Sequence, residues 1–289
     1  MHMATILVSL DGTVHDPDQP FLYADDLAAL RGDGIFETLL VRSGQARRVD
    51  AHLDRMDRSA AMMDLPRPDR DAWQEAIAIA QRQWSELAGE AEAWMRLILS
   101  RGRESDLDAG PTGYVMVGAV ADRVAKARAE GISVVTLDRG YSTELAGHAP
   151  WQLLGAKTLS YATNMAALRY AADQGYDDVI YLSAEGAVLE GPRSTVITVT
   201  GTTMVTPPAE IGILPGTTHG AIYELAVKEG WTTRAQALTR ADLIAADSVW
   251  LVSSVALAAR VRSINGFALP PSPNDTEFAD LVDRAICGD

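Results

Sequence analysis

Leu153-Leu154-Gly155-Ala156-Lys157-Thr158-Leu159-Ser160-Tyr161-Ala162-Thr163-Asn164-Met165 sets one lysine in an apolar neighbourhood. The chain hardly uses lysine: of its 25 basic Lys and Arg residues only Lys126, Lys157 and Lys228 are lysines. Lys126 sits among Arg123, Arg128 and Glu130 in a polar helical pattern. Lys228 follows Glu224 by four residues, the favourable order for a helical ion pair. Both read as solvated surface charges. Lys157 has no Asp, Glu or Arg within ten positions on either side. A desolvated lysine loses part of its preference for the charged form and becomes a nucleophile or Schiff-base former near neutral pH. Taken alone, this stretch is explained more simply by a lysine snorkelling to water, so the rest of the chain has to decide.

At 289 residues and 47% hydrophobic, the chain has material for a substantial core in two domains. No run approaches the roughly 20 apolar residues of a membrane span. Met1-His2-Met3-Ala4 lacks a basic region followed by an apolar one, so no secretory signal is expected and a cytoplasmic location is. The single Cys287 makes no internal disulfide and belongs to no metal-ligand pattern, so no metal is expected. A net charge of −14 without a basic block argues against nucleic acid or an anionic membrane as partner and for a small-molecule substrate. An anionic ligand would have to be met by locally placed arginines and backbone N–H groups.

The spacing predicts strands at 5–10 and 35–42, the latter turning at Ser43-Gly44 into a hairpin. Helical spacing begins at Asp50, a plausible N-cap, with Leu53, Met56, Ala60 and Met63 on one face. A second amphipathic helix covers 69–88, with Trp73, Ala76, Ile77, Ala80 and Trp84 inward, and strands follow at 94–101 and 113–120. This half, residues 1–122, is expected to be a small N-terminal α+β domain. The polar stretch 121–131 is the linker candidate. Residues 123–289 are expected to form a larger C-terminal mixed-sheet domain that carries the lysine. Its strands fall at 132–137, 178–182, 194–199, 203–206, 248–253 and 260–264, with helices at 164–174, 221–229 and 239–245.

Three further features carry chemistry. Glu190-Gly191-Pro192-Arg193-Ser194-Thr195 places an acid at a strand end before a Gly-Pro bend. Ile213-Leu214-Pro215-Gly216-Thr217-Thr218 leads into a helix, and its free N–H groups and hydroxyls could hold an anion or form a plain N-cap. Ser253-Ser254 ends the apolar strand Val249-Trp250-Leu251-Val252. In this order and spacing, Lys157, Tyr161 and Asn164, then Glu190, Gly191 and Ser194, then Thr206 to Pro208, then Gly212 to Thr218 resemble the fold-type IV pyridoxal-phosphate enzymes. That group holds the branched-chain and D-amino-acid aminotransferases and 4-amino-4-deoxychorismate lyase. Gly32-Asp33-Gly34-Ile35-Phe36-Glu37 and His52-Leu53-Asp54-Arg55-Met56, followed by Ser59-Ala60, are similar to its small-domain signatures. The resemblance covers about residues 30–266.

The resemblance implies roles position by position. Lys157 would hold pyridoxal 5'-phosphate and then shuttle protons. Glu190 would bond the pyridine nitrogen, which makes the ring an electron sink. Tyr161 would contact the ring hydroxyl, and Ser194 and Thr195 follow Glu190 in the cofactor-contacting segment. Arg55, Thr217, Thr218 and Ser254 would hold the phosphate. It also implies a homodimer, with the site between the two domains and a loop from the partner contributing. There are departures: Thr195 stands where the family commonly has Asn, His219 where it has Arg, and Met56 where it has Leu.

The choice of reaction is narrower. A D-amino-acid aminotransferase would call for an Arg-x-His carboxylate trap, whereas Ser100-Arg101-Gly102-Arg103-Glu104 has no histidine, which disfavours that subtype. Arg96 or Arg101 could bind a substrate carboxylate. Period-2 alternation puts them on opposite faces, so only one should face the site. Val252-Ser253-Ser254-Val255 with Ala258-Ala259-Arg260-Val261 looks more like the aminodeoxychorismate lyases than like branched-chain aminotransferases. The expected reaction is therefore formation of 4-aminobenzoate and pyruvate, a step toward folate. A branched-chain or other class-IV aminotransferase is the alternative, and a non-catalytic α/β binding protein the remote one.

Overall fold

The computed structural model describes residues 5–67 and 69–288, so the opening Met1–Ala4 stretch lies outside the described residues. The chain divides into two compact units, one of residues 1–121 with 156–161, the other of 122–155 with 162–289. The placement of the lysine is a correction: Lys157 belongs to the first unit, not to the larger second one.

The first unit contains β1 (Thr5–Ser9), β2 (Val14–His15), α1 (Leu27–Arg31), β3 (Gly34–Arg42), β4 (Gln45–Ala46), α2 (Val49–Met62), α3 (Arg70–Ala88), β5 (Ala93–Ser100) and β6 (Thr112–Ala119). Its strands form one antiparallel sheet in the order β2-β1-β6-β5-β3-β4. Alternation along the strands sends Val8, Ile35, Leu39, Val41, Met95, Leu97, Val115 and Val117 to one face. α2 and α3 cover that face with Leu53, Met56, Trp73, Ile77, Ala80 and Trp84. Fully burying a large apolar side chain stabilises by roughly 1.5–3 kcal/mol, so this double row is what holds the sheet to the helices. Asp69 caps α3 as its spacing suggests, accepting from the N–H groups of Asp71 and Ala72 at 3.1 and 3.3 Å. The expectation for α2 is corrected. It starts at Val49, its N-cap is Arg48 with φ 58°, and Asp50 lies in the first turn, because the chain enters straight from the β3–β4 hairpin.

Lys157 joins the first unit through backbone pairing. Phe36 N–H donates to the Lys157 carbonyl at 3.0 Å and Leu159 N–H to the Gly34 carbonyl at 2.8 Å, an antiparallel bridge along β3. Gly34 permits this approach: a Cβ there would lie 2.5 Å from the Leu99 carbonyl oxygen and 2.7 Å from Leu159 Cδ1. These bonds outweigh sequence order, and that is why the lysine leaves the unit that its neighbours on both sides join.

The second unit contains α4 (Asp122–Glu130), β7 (Ile132–Asp138), α5 (Leu145–His148), α6 (Ala162–Asp173), β8 (Asp178–Leu182), β9 (Thr195–Thr200), β10 (Thr203–Thr206), α7 (Thr217–Lys228), β11 (Thr232–Ala235), α8 (Arg240–Ala245), β12 (Ser248–Ser253), β13 (Leu257–Ile264), β14 (Phe267–Ala268) and α9 (Asp275–Cys287). The sheet is mixed, ordered β11-β10-β9-β12-β13-β7-β8, with β14 on β13. β7 pairs in parallel with β8 and β13, while β9, β12 and β13 pair antiparallel. The expected linker is a helix, α4: it buries no residue, so its sequence shows no apolar stripe. α7 begins four residues before the expected Ala221. The sequence reading had no counterpart of α9, which buries Phe278, Leu281, Val282 and Ile286, with Phe278 against Trp250. Both units together make a two-domain α+β protein. Among the described residues no helix is long and apolar enough to cross a membrane.

Candidate active site

In the first unit the lysine side chain is half-buried between two rings. Lys157 Nζ lies 4.4 Å from the Phe36 ring centroid and 6.0 Å from that of Tyr161. The two rings meet edge to face at 5.4 Å. Tyr161 thus lies on the same side of the lysine as Phe36. The Lys157 N–H donates to Ser59 Oγ at 3.1 Å, which ties the lysine backbone to α2.

Arg55 is buried at 5% exposure, one turn of α2 before Ser59. Its Nε and Nη2 donate to the two carboxylate oxygens of Glu37, at 2.7 and 2.6 Å. His52 Nδ1 donates to the same carboxylate at 2.7 Å. Glu37 and His52 went unread as site residues. The available signal was the alternation Ile35, Glu37, Leu39, which puts a carboxylate on the apolar face of β3.

Burial pushes the Glu37 carboxyl up, but the Arg55 charge and the bonds from Arg55 and His52 outweigh it and hold it well below the usual carboxylate range. Burial lowers His52 despite its bond to Glu37, so the imidazole is neutral. For both groups the unfolded chain binds more protons in acid than the folded chain does, so stability rises with pH. The His52 contribution is present above the free-imidazole value of about 6.5 and is lost as pH falls below it. The Glu37 contribution is present above about 4.3 and is lost below that. The melting temperature of the chain is therefore expected to fall in two stages on acidification from pH 8 to 3. Calorimetry of His52→Asn should show a smaller first stage, with His219, whose pKa burial also lowers, supplying the remainder; a variant with an undiminished first stage would refute the assignment.

The two candidate substrate arginines differ. Arg101 is committed elsewhere: Nε and Nη2 bond Asp33 at 2.7 and 3.3 Å, and Nη1 and Nη2 bond the Asp64 and Met63 carbonyls at 3.1 and 2.7 Å. With every guanidinium nitrogen on a protein acceptor, Arg101 is a tie between loops rather than a carboxylate ligand. Arg96 is exposed at mid-strand on β5, 4.6 Å over the Trp94 ring. Arg103 is likewise paired, with Asp25 and over Tyr23.

The second unit holds the acid and the hydroxyls. Glu190 is half-buried between β8 and β9. Its carbonyl accepts from Tyr181 N–H at 2.9 Å and its Oε2 from Leu214 N–H at 3.1 Å. Burial first, then the Glu190 charge, pushes the Tyr141 phenol up to about 12. Asn164 donates to the Pro192 carbonyl and accepts from Tyr181 Oη, both at 3.2 Å, bracing the loop after Glu190.

α7 opens on Gly216, which supplies no capping side chain to its first N–H groups. Thr218 Oγ1 and Thr217 Oγ1 lie 3.3 and 3.5 Å from Ser254 Oγ, which brings three hydroxyls to the helix start. A Cβ at Gly216 would sit 2.5 Å from Thr195 Oγ1, so only glycine lets this turn approach β9. Ser194 Oγ is buried with no hydrogen-bond partner among the described residues. His219, at the family's arginine position, packs edge on against Tyr223 at 4.3 Å, and burial lowers its pKa. It adds no cation here. The set of N–H groups, neutral hydroxyls and a turn cleared of side chain fits a phosphate monoester. Among the described residues no group of three or more His, Cys, Asp or Glu is placed to hold a metal ion.

Residues 34–264 match the family model for amino-transferase class IV. The bifunctional aminodeoxychorismate lyase / D-amino acid transaminase of Mycobacterium tuberculosis is 49% identical, over 98% of this chain and 100% of that protein. The solved PLP-bound form of a hypothetical aminotransferase from Mycobacterium tuberculosis superposes with a TM-score of 0.96 at 50% identity, covering 99% of this chain and 100% of that one. A fold IV-transaminase from Curtobacterium pusillum gives 0.90 at 37% identity, covering 97% of both chains.

Proposed function

Because the chain belongs to the class IV amino-transferase family and is an enzyme, we propose that it uses pyridoxal phosphate to convert 4-amino-4-deoxychorismate to 4-aminobenzoate and pyruvate. The observation that carries this reading is the 49% identity, over nearly the full length of both chains, to a protein named for that lyase activity. The same name includes D-amino acid transaminase. It weighs against treating the missing Arg-x-His pattern as an exclusion, and amino-group transfer is the second reading.

When bound, the cofactor supplies an electron sink for the bond broken beside the substrate amine. The residues divide the remaining work. Lys157 would provide the amine that holds the cofactor and the base that takes the proton from the substrate ring carbon bearing the amine. Phe36 and Tyr161 flank that amine. Glu190 keeps a proton on the pyridine nitrogen. Arg55, Thr217, Thr218 and Ser254 would contact the phosphate, with Ser194 and Thr195 in the cofactor-contacting segment after Glu190. Arg96 is the proposed ligand for a substrate carboxylate. The motif resemblance also supports a homodimer.

The test is a panel on the purified chain. Aminodeoxychorismate should yield pyruvate and 4-aminobenzoate in equal amounts, with Arg96→Ala raising KM more than it lowers kcat. No pyruvate from that substrate, alongside 2-oxoglutarate-dependent turnover of D-alanine or leucine, would replace the lyase reading with the transaminase one.

A further inference from the structure

Glu37, His52 and Arg55 form the most deeply buried ionic group described, at 0, 1 and 5% exposure. Folding alone gives little reason for it. Replacing a buried ion pair by well-packed apolar residues is often neutral or stabilising, because desolvation offsets the attraction. Its place in the fold is more informative. His52 and Arg55 are three apart on α2, so both reach down onto β3. Ser59, one turn after Arg55, receives the Lys157 N–H. Phe36, the neighbour of Glu37 on β3, bonds the Lys157 carbonyl. One helix and one strand therefore carry both the clamp on Arg55 and the anchors of the lysine.

We propose that Glu37 and His52 are positioning residues that fix the Arg55 guanidinium plane as a preset seat for the cofactor phosphate. The proposal rests on the reading that the chain holds pyridoxal phosphate. Glu37 engages the Nε–Nη2 edge with both carboxylate oxygens, a bidentate pairing that fixes the guanidinium plane. Its charge cancels that of Arg55, and His52 adds a hydrogen bond without a charge. What the triad offers a phosphate is thus direction rather than net charge. A planar fork held in one orientation loses less freedom on binding than a mobile one.

Direction and charge make opposite predictions for Glu37→Gln. That change leaves Arg55 uncompensated, so a seat that worked by charge would bind phosphate more tightly. A seat that works by orientation would bind it more weakly. Apoprotein of wild type and E37Q should be titrated with pyridoxal phosphate and with pyridoxal, which lacks the phosphate, following tryptophan fluorescence. The expected result is a Kd for pyridoxal phosphate raised at least about tenfold, the scale for losing a group that orients a ligand-holding side chain. The Kd for pyridoxal should stay within about twofold of wild type, and the phosphorus NMR line of the bound cofactor should broaden. Unchanged or tighter binding of pyridoxal phosphate overturns the proposal, and so does an equal loss for both compounds. If circular dichroism shows E37Q unfolded, Arg55→Lys decides, since it keeps the charge without the fork. The same phosphate-selective loss supports orientation, and wild-type affinity overturns it. A wild type that binds neither compound and shows no borohydride-fixed label on Lys157 would instead refute the functional reading beneath it.

Discussion

Lys157→Ala is expected to lower turnover on the order of 10⁴-fold, the upper end of what a positioned proton-transfer group contributes. The fold should survive. The lysine is held by its backbone, through the Ser59 hydroxyl, the Phe36 N–H and the pairing of Leu159 with Gly34, and alanine preserves all of these. What disappears is Nζ, from its place between the Phe36 and Tyr161 rings. A phosphate seat that does not use the amine predicts that the variant still takes up pyridoxal phosphate, more weakly and without a covalent link. Borohydride followed by peptide mass mapping should label residue 157 in wild type and nothing in the variant. A variant with activity within tenfold of wild type would remove Lys157 from the chemistry. A wild type that takes up no cofactor and stays colourless would favour a binding protein over an enzyme.

The candidate motifs were legible because they lie in short local patterns. The spacing of Lys157, Tyr161 and Asn164, the Glu-Gly bend at 190–191 and the Gly-x-Thr helix start each need only a few adjacent residues. What went unread depends on distant packing. Glu37 and Arg55 meet only because α2 lies on β3, 18 residues apart in sequence. The same holds for Arg101, whose bonds to Asp33, Asp64 and Met63 are set by three loops that no local pattern connects. The assignment of Lys157 to a unit failed for a related reason: backbone pairing with β3 is not encoded in side-chain periodicity. The polar helical pattern around Lys126 is α4; because it buries no residue it shows no apolar stripe, and the stretch therefore suggested a linker. α9 is different. Phe278, Leu281, Val282 and Ile286 have helical spacing, so that helix was readable.

Glu190→Gln should lower kcat on the order of 10²–10³-fold, the effect of deleting one preorganised charge partner at a reacting centre, with only a small change in cofactor affinity. Glutamine keeps the size of the side chain, and its amide oxygen can still accept the Leu214 N–H that Glu190 Oε2 accepts at 3.1 Å. The backbone bond from Tyr181 is untouched. Only the negative charge goes, and with it the partner that would keep a pyridine nitrogen protonated. Burial pushes the phenols of Tyr141 and Tyr181 up, so neither offers a negative oxygen near neutral pH. The Glu190 charge contributes to both shifts, which supplies an internal control: tyrosinate absorbance in the variant should develop at lower pH than in wild type. A lower tyrosine midpoint together with unchanged kcat would show that the charge was removed and was not needed, leaving Glu190 as a brace for Leu214. A lower midpoint with the expected loss of kcat ties the electron-sink role to that one carboxylate, because the bonds from the Leu214 and Tyr181 N–H groups are retained.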